Sequence, residues 1–191
     1  FLCGRFDING GFKNSYGKVI EFNADTFSTL PETILWQPIQ KELLKENRNI
    51  TQFNDLAEDI KRLFSQLKYE TGLEQPVFLG SSFGYVEDQL NSSTIIDLAY
   101  ESGFTPHYSD LEHVVFSEEE GIFYKEGDEY VKVDVWYKMI PWDWMFNEEP
   151  ELAKLLSQII LNKQAIILNP PYTAIWQNKK FLAYITQHFP N

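Results

Sequence analysis

The sequence predicts an α/β fold, and three observations carry that expectation. Phe53, Leu56, Ala57, Ile60, Leu63, Phe64 and Leu67 recur at helical spacing. Pro76-Val77-Phe78-Leu79-Gly80-Ser81-Ser82 reads as a short buried strand ending in a small-residue turn. A helix over 86–102, closed by Gly103, and a strand near 105–108 follow it. Strand, helix and strand in that order form a small α/β lobe. Residues 113–138 read as a β-meander of 114–116, 121–125 and 129–138, separated by Glu/Gly turns.

The remaining elements follow from local chemistry. Residues 1–23 read as two strands around a loop, with Asn9-Gly10-Gly11 and Asn14-Ser15-Tyr16-Gly17 supplying turn residues. Residues 24–36 lack periodicity and are expected to form a loop containing Pro31. Helices are expected over 38–47 and 54–68. Another spans 149–162, where Asn147 and acidic residues suit the positive end of the helix dipole. A strand over 165–168 and a helix over 178–189 complete the chain. Three segments are expected: 1–75 with the hairpin and first helices, 76–112 as the small α/β lobe, and 113–191 with the meander and last helices.

The 191 residues include 15 Phe, 10 Tyr and 5 Trp, enough apolar bulk to offset the entropy of ordering. A net charge of −12 disfavours nucleic acid and suits cationic ligands, although acidic residues also serve solubility alone. Cys3 is the single cysteine, so no internal disulfide forms and a reducing, cytoplasmic setting is expected. No apolar run approaches the roughly 20 residues of a membrane helix. The chain starts with Phe and ends at Asn191, and it reads as cut at both ends. His107, His113 and His188 show no metal-ligand spacing.

The first two strands concentrate the chemistry. In Gly4-Arg5-Phe6-Asp7-Ile8, alternation puts Phe6 and Ile8 on one face and Arg5 and Asp7 on the other. In Val19-Ile20-Glu21-Phe22-Asn23, Ile20 and Phe22 oppose Glu21 and Asn23. Paired, the strands present an apolar face able to bury and a face carrying a guanidinium, two carboxylates and an amide. Asp7, Glu21 and Asn23 supply oxygens of the kind magnesium takes. Arg5 supplies a fork of donors for a phosphoryl group or carboxylate. A half-buried hairpin with a solvated polar face gives the same pattern. A calcium loop at Asp7-Ile8-Asn9-Gly10 fails, because Gly and Phe occupy the next ligand positions.

Gly-Arg-Phe-Asp followed by Val19-Ile20-Glu21-Phe22-Asn23-Ala24-Asp25-Thr26 and Ser28-Thr29-Leu30-Pro31-Glu32 resembles the synthetase domain of the glutathionylspermidine synthase family. Glu87-Asp88, Val135-Trp136-Tyr137-Lys138, Pro141-Trp142-Asp143-Trp144 and Asn169-Pro170-Pro171-Tyr172 continue the resemblance in order along the chain. It implies a partial ATP-grasp fold with a small three-layer lobe. It also implies an ATP- and Mg2+-dependent ligase that joins a glutathione-like carboxylate to a polyamine through an acyl phosphate.

By the same resemblance Arg5 would be catalytic and Asp7, Glu21 and Asn23 would hold Mg2+. Thr26 and Ser28 would contact the thiol peptide, Glu87 and Asp88 the polyamine, and Lys179 the ATP. Each has a plainer role open to it: Thr26 and Ser28 in loop hydrogen bonds, Glu87 and Asp88 as first-turn acids, Lys179 on a solvated helix face. Lys138 either binds a ligand or snorkels, and Trp136, Trp142 and Trp144 are expected in the core. The family's glycine-rich phosphate loop is absent from the sequence, and Met139 replaces a small polar residue beside the substrate. A non-catalytic acidic module binding a polyamine or metal, and a plain scaffold domain, are the alternatives to the ligase. The sequence does not indicate an oligomeric state.

Overall fold

A computed structural model describes residues 2–10, 16–44 and 55–189. Gly11, Asn14 and Ser15 of the expected turns, residues 45–47 of the first expected helix, and Phe53 and Asn54 of the second lie outside them.

The frame is a parallel four-stranded sheet in the order β4-β3-β8-β9, with β3 at Val77–Ser82, β4 at Thr105–Asp110, β8 at Val135–Lys138 and β9 at Ile166–Leu168. Both faces are covered, so β3 and β8 are buried almost throughout. Phe78, Val135, Tyr137 and Leu168 bury against α2 (Leu56–Thr71) and α3 (Val86–Glu101). Leu79, Trp136 and Ile167 bury on the other face, against α4 (Trp142–Glu148), α5 (Pro150–Leu161) and a second sheet. That antiparallel sheet is β5 (Val114–Ser117), β6 (Gly121–Glu126) and β7 (Glu129–Val133). The α/β class expected from the sequence is present, with helices packed on a parallel sheet.

The helices follow from spacing and caps. Ile60 and Phe64, one turn apart, bury the inner face of α2. Gly72 ends it in the left-handed conformation (φ 69°), its N–H donating to the Lys68 carbonyl. The inner face of α3 carries Asn91, Ser92, Ile95, Leu98 and Ala99. Trp136 and Trp142 are buried, and Trp144 packs edge-on against Phe83. Helices α6 (Thr173–Gln177) and α7 (Lys179–His188) close the chain.

Three local expectations need correction. Residues 24–36 are not all loop: a π-helical segment over Glu32–Trp36 runs straight into α1 (Gln37–Leu44), because Pro31 sits at its start, where a missing N–H costs nothing. The strand expected over 129–138 is two strands. Asp134 is the pivot, its carboxylate accepting from the Val77 N–H at 2.8 Å, so the chain leaves the meander and enters the parallel sheet. That sheet therefore takes β3 and β4 from 76–112 and β8 and β9 from 113–191.

The third correction concerns the hairpin of β1 (Arg5–Asn9) and β2 (Lys18–Asn23). Alternation makes its apolar face able to bury, and in the structure that face stays largely open. Phe6 is 56% exposed, Ile8 60% and Ile20 55%. The face instead pairs within itself: Phe6 and Phe22 stack with ring centroids 4.2 Å apart. A bulge at Ile20 brings Val19 opposite Ile8. At the hairpin base a Cβ on Gly4 would stand 2.8 Å from the Asn23 carbonyl oxygen and 2.7 Å from the Phe22 ring. Gly4→Ala is expected to cost about 1–3 kcal/mol by overpacking, read as a lower urea midpoint at unchanged slope.

Candidate active site

The hairpin register sets Arg5 opposite Asn23 and Asp7 opposite Glu21. Two carboxylates facing each other across strands repel unless cations lie between or beside them. Arg5 is one such cation. Its Nε donates to Asp7 Oδ1 at 2.8 Å and its Nη1 to Ser28 Oγ at 2.6 Å. With its amide oxygen toward Arg5, Asn23 accepts from Nη2 at 2.8 Å and donates to Glu21 Oε1 at 3.1 Å. Lys179, first residue of α7, places Nζ 3.4 Å from Glu21 Oε2. Arg5, Asp7, Glu21, Asn23, Ser28 and Lys179 thus form one connected polar cluster. The Arg5 hydrogen bond holds the Asp7 carboxyl below its usual range. Asp7 and Glu21 face each other on half-exposed strands and Asn23 lies beside Glu21, oxygen-bearing side chains of the kind magnesium takes, with the Asn23 oxygen turned to Arg5.

Beside the cluster lies a cavity of about 630 Å3. Thr26, Ser28, Glu87 and Asp88, named from the sequence, all line it. Its position follows from the topology. From β3 the chain turns one way through α3 to β4, and from β8 the other way through α4 and α5 to β9. The order therefore reverses between β3 and β8, and crevices at the carboxyl ends of strands at such a point are where α/β sheets bind ligands. Phe83 just past β3, Met139 just past β8, and the first turn of α3 form the walls. The Leu30 N–H donates to Asn91 Oδ1 at 3.0 Å and ties the 24–32 segment against α3.

The cavity is acidic. Glu32, Glu87 and Asp88 line it, and no basic residue does so among the described residues. Burial, with Glu87 alongside, pushes Asp88 above the ordinary carboxylate value. One buried oxygen of Glu32, Oε2, has no hydrogen-bond partner among the described residues. Trp36 and Phe83 supply aromatic surface, which also favours cations. An acid whose folded pKa is raised contributes stability below its unfolded pKa and loses it as pH rises through the folded value. Asp88→Asn is therefore expected to raise the neutral-pH melting temperature of ligand-free protein. Scanning calorimetry across pH should show the wild-type melting temperature falling relative to the variant as pH rises through the Asp88 transition.

Sequence reasoning missed several residues. Glu32, Trp36, Phe83 and Asn91 line the cavity but sit on elements that give no chemical pattern. Lys138 neither snorkels nor reaches the cavity. It is fully buried, its Nζ 2.7 Å from Asp25 Oδ1 and 2.8 Å from the Ile140 carbonyl, and it lies over the Trp142 ring. Burial pulls Lys138 down to about 8 and pushes Asp25 up. Met139, flagged by the resemblance, does line the cavity, its sulfur accepting from the Tyr137 hydroxyl. A second hollow of about 680 Å3 opens at the opposite end of the strands. There Asp134 accepts from the Val77 N–H and the Gln164 amide nitrogen donates to two carbonyls, while Gln164 Oε1 is buried with no hydrogen-bond partner among the described residues.

Comparison with known families places the chain. The family described as "Glutathionylspermidine synthase preATP-grasp" matches residues 1–191, the whole chain. The chain belongs to that family. Within the glutathionylspermidine synthase family, the chain is 25% identical over 191 residues to a Haemophilus influenzae protein named "Putative acid--amine ligase". All of the chain aligns, and it spans 46% of that relative's length. No helix among the described residues is long and apolar enough to cross a membrane.

Proposed function

We propose that the protein is an ATP- and Mg2+-dependent ligase that joins a carboxylate to a cationic amine through an acyl phosphate. One observation carries this reading: Ser28 lines the cavity and also accepts from Arg5 at 2.6 Å, so the polar cluster and the cavity are one continuous site. A binding module would need the acidic cavity. It would not need a guanidinium wired from that cavity to a triad of oxygen ligands.

Each residue has a task in this scheme. Asp7, Glu21 and Asn23 would hold Mg2+, whose charge would neutralise phosphate oxygens when bound. Arg5 would stabilise negative charge on the transferring phosphoryl group. Thr26 and Ser28 would position the acid, Glu87 and Asp88 the amine, and Lys179 would contact the nucleotide. Holding acyl group and amine side by side removes much of the entropic barrier to attack. The acid would be a thiol peptide such as glutathione or an amino acid, and the acidic cavity favours a polyamine such as spermidine as the amine.

The test uses full-length protein with ATP, Mg2+, candidate acids and candidate amines. ADP formation that requires both an acid and an amine is the expected result, with Asp7→Asn raising the Mg2+ concentration needed by about tenfold or more. Tight spermidine binding with no nucleotide turnover under any pairing would contradict it.

A further inference from the structure

The hairpin that carries Arg5, Asp7, Glu21 and Asn23 has little apolar burial to hold it in place, since Phe6, Ile8 and Ile20 are all more than half exposed. Its base is held by polar contacts. Asn169, fully buried after β9, spends its whole side-chain amide on the two chain segments that flank the hairpin. Its Oδ1 accepts from the Leu2 N–H at 2.7 Å, ahead of β1. Its Nδ2 lies 3.1 Å from the Cys3 carbonyl and 3.0 Å from those of Ala24 and Asp25, beyond β2.

A closed circuit fixes this junction to the carboxyl ends of the sheet. The Asp25 carboxylate accepts from Lys138 Nζ and from the Trp142 N–H. Trp142 Nε1 returns to the Asn169 carbonyl at 2.8 Å. Outside the circuit, the Asp25 N–H donates to Gln177 Oε1 at 3.0 Å, which ties the same junction to α6. The contacts join the segment after β2 to β8, α4, α6 and the end of β9, and Thr26, Met139 and Pro141, neighbours of the joined residues, line the cavity.

We propose that Asn169, Asp25, Lys138 and Gln177 are positioning residues: they clamp both ends of the hairpin so that the Arg5 cluster stays aligned with the mouth of the cavity. None of them touches the proposed substrates. Their effect is on where Arg5 and the metal-ligand oxygens stand relative to Ser28. The reaction half of this inference rests on the ligase reading, and the structural half does not.

The experiment measures hydrogen exchange and steady-state kinetics on full-length wild type, Asn169→Ala and Gln177→Ala. Gln177 is only half-buried at the end of a five-residue helix, so its variant is expected to fold. The clamp predicts faster exchange at 2–9 and 18–25 in both variants, with β3 and β8 as protected as in wild type. It predicts a kcat loss of about 100-fold for Asn169→Ala, the scale of a 1 Å misplacement. A loss of about threefold is expected for Gln177→Ala, which removes one hydrogen bond, with KM for the amine changed less than about twofold in both. Unchanged exchange in the hairpin, or protection lost equally in β3 and β8, overturns the proposal. If wild type shows no ligation, the ligase reading fails, and the exchange pattern still decides the clamp.

Discussion

Lys138→Met should be the most destabilising single change at this site, lowering stability by about 3–5 kcal/mol. The substitution keeps the aliphatic bulk and removes the charge. Asp25 is then left 1% exposed with the Trp142 N–H as its remaining side-chain donor. A buried ion pair need not stabilise a fold, yet losing one member leaves an uncompensated charge in a low dielectric. Combining Lys138→Met with Asp25→Asn should recover most of the loss, because the amide can still accept from Trp142 and carries no charge. Urea unfolding of the three variants measures the coupling directly. A single substitution costing under about 1 kcal/mol would mean that the pair is solvated in solution.

Arg5→Ala should have the largest effect on chemistry, a fall of about 10²–10³ in kcat, the scale of removing one preorganised donor from a developing anion. Arg5→Lys should not restore it. The guanidinium reaches Asp7, Ser28 and Asn23 at once through three different nitrogens, and an ammonium offers no such planar fork. Because Arg5 lies on a half-exposed hairpin, its loss should move the melting temperature little. Steady-state kinetics with saturating ATP and amine separates the two effects. A kcat within about threefold of wild type would remove Arg5 from the chemistry.

Much of this arrangement was legible in the sequence because it is local. Period-two alternation alone puts Arg5 and Asp7 on one face of a strand and Glu21 and Asn23 on one face of another, and the register brings the two sets together. Glu87 and Asp88 were legible as acids at the start of a helix, and the short strand before that helix placed them at its carboxyl end. The break at Asp134 was hidden because both halves of 129–138 have strand composition, and only the Asp134 contact with Val77 shows where the chain changes sheet. The hairpin's apolar face misled for a related reason: alternation marks a face able to bury, not what lies against it. Asp25 and Lys138 are 113 positions apart, and Asn169 lies 167 from Leu2, so no spacing argument could join them. Glu32, Trp36 and Phe83 were equally hidden, since Pro31 read as a loop signal where it starts a helix.

The most direct measurement follows an oxygen atom. The carboxylate substrate is labelled with 18O and turned over by full-length protein with ATP, Mg2+ and amine, and the inorganic phosphate is analysed by mass. In the proposed chemistry a carboxylate oxygen attacks the γ-phosphorus and releases ADP. The amine nitrogen then displaces phosphate from the acyl carbon, so the labelled oxygen leaves on phosphate. One 18O per phosphate formed is the predicted result. Amide product accompanied by unlabelled phosphate, or label recovered in AMP, would contradict it.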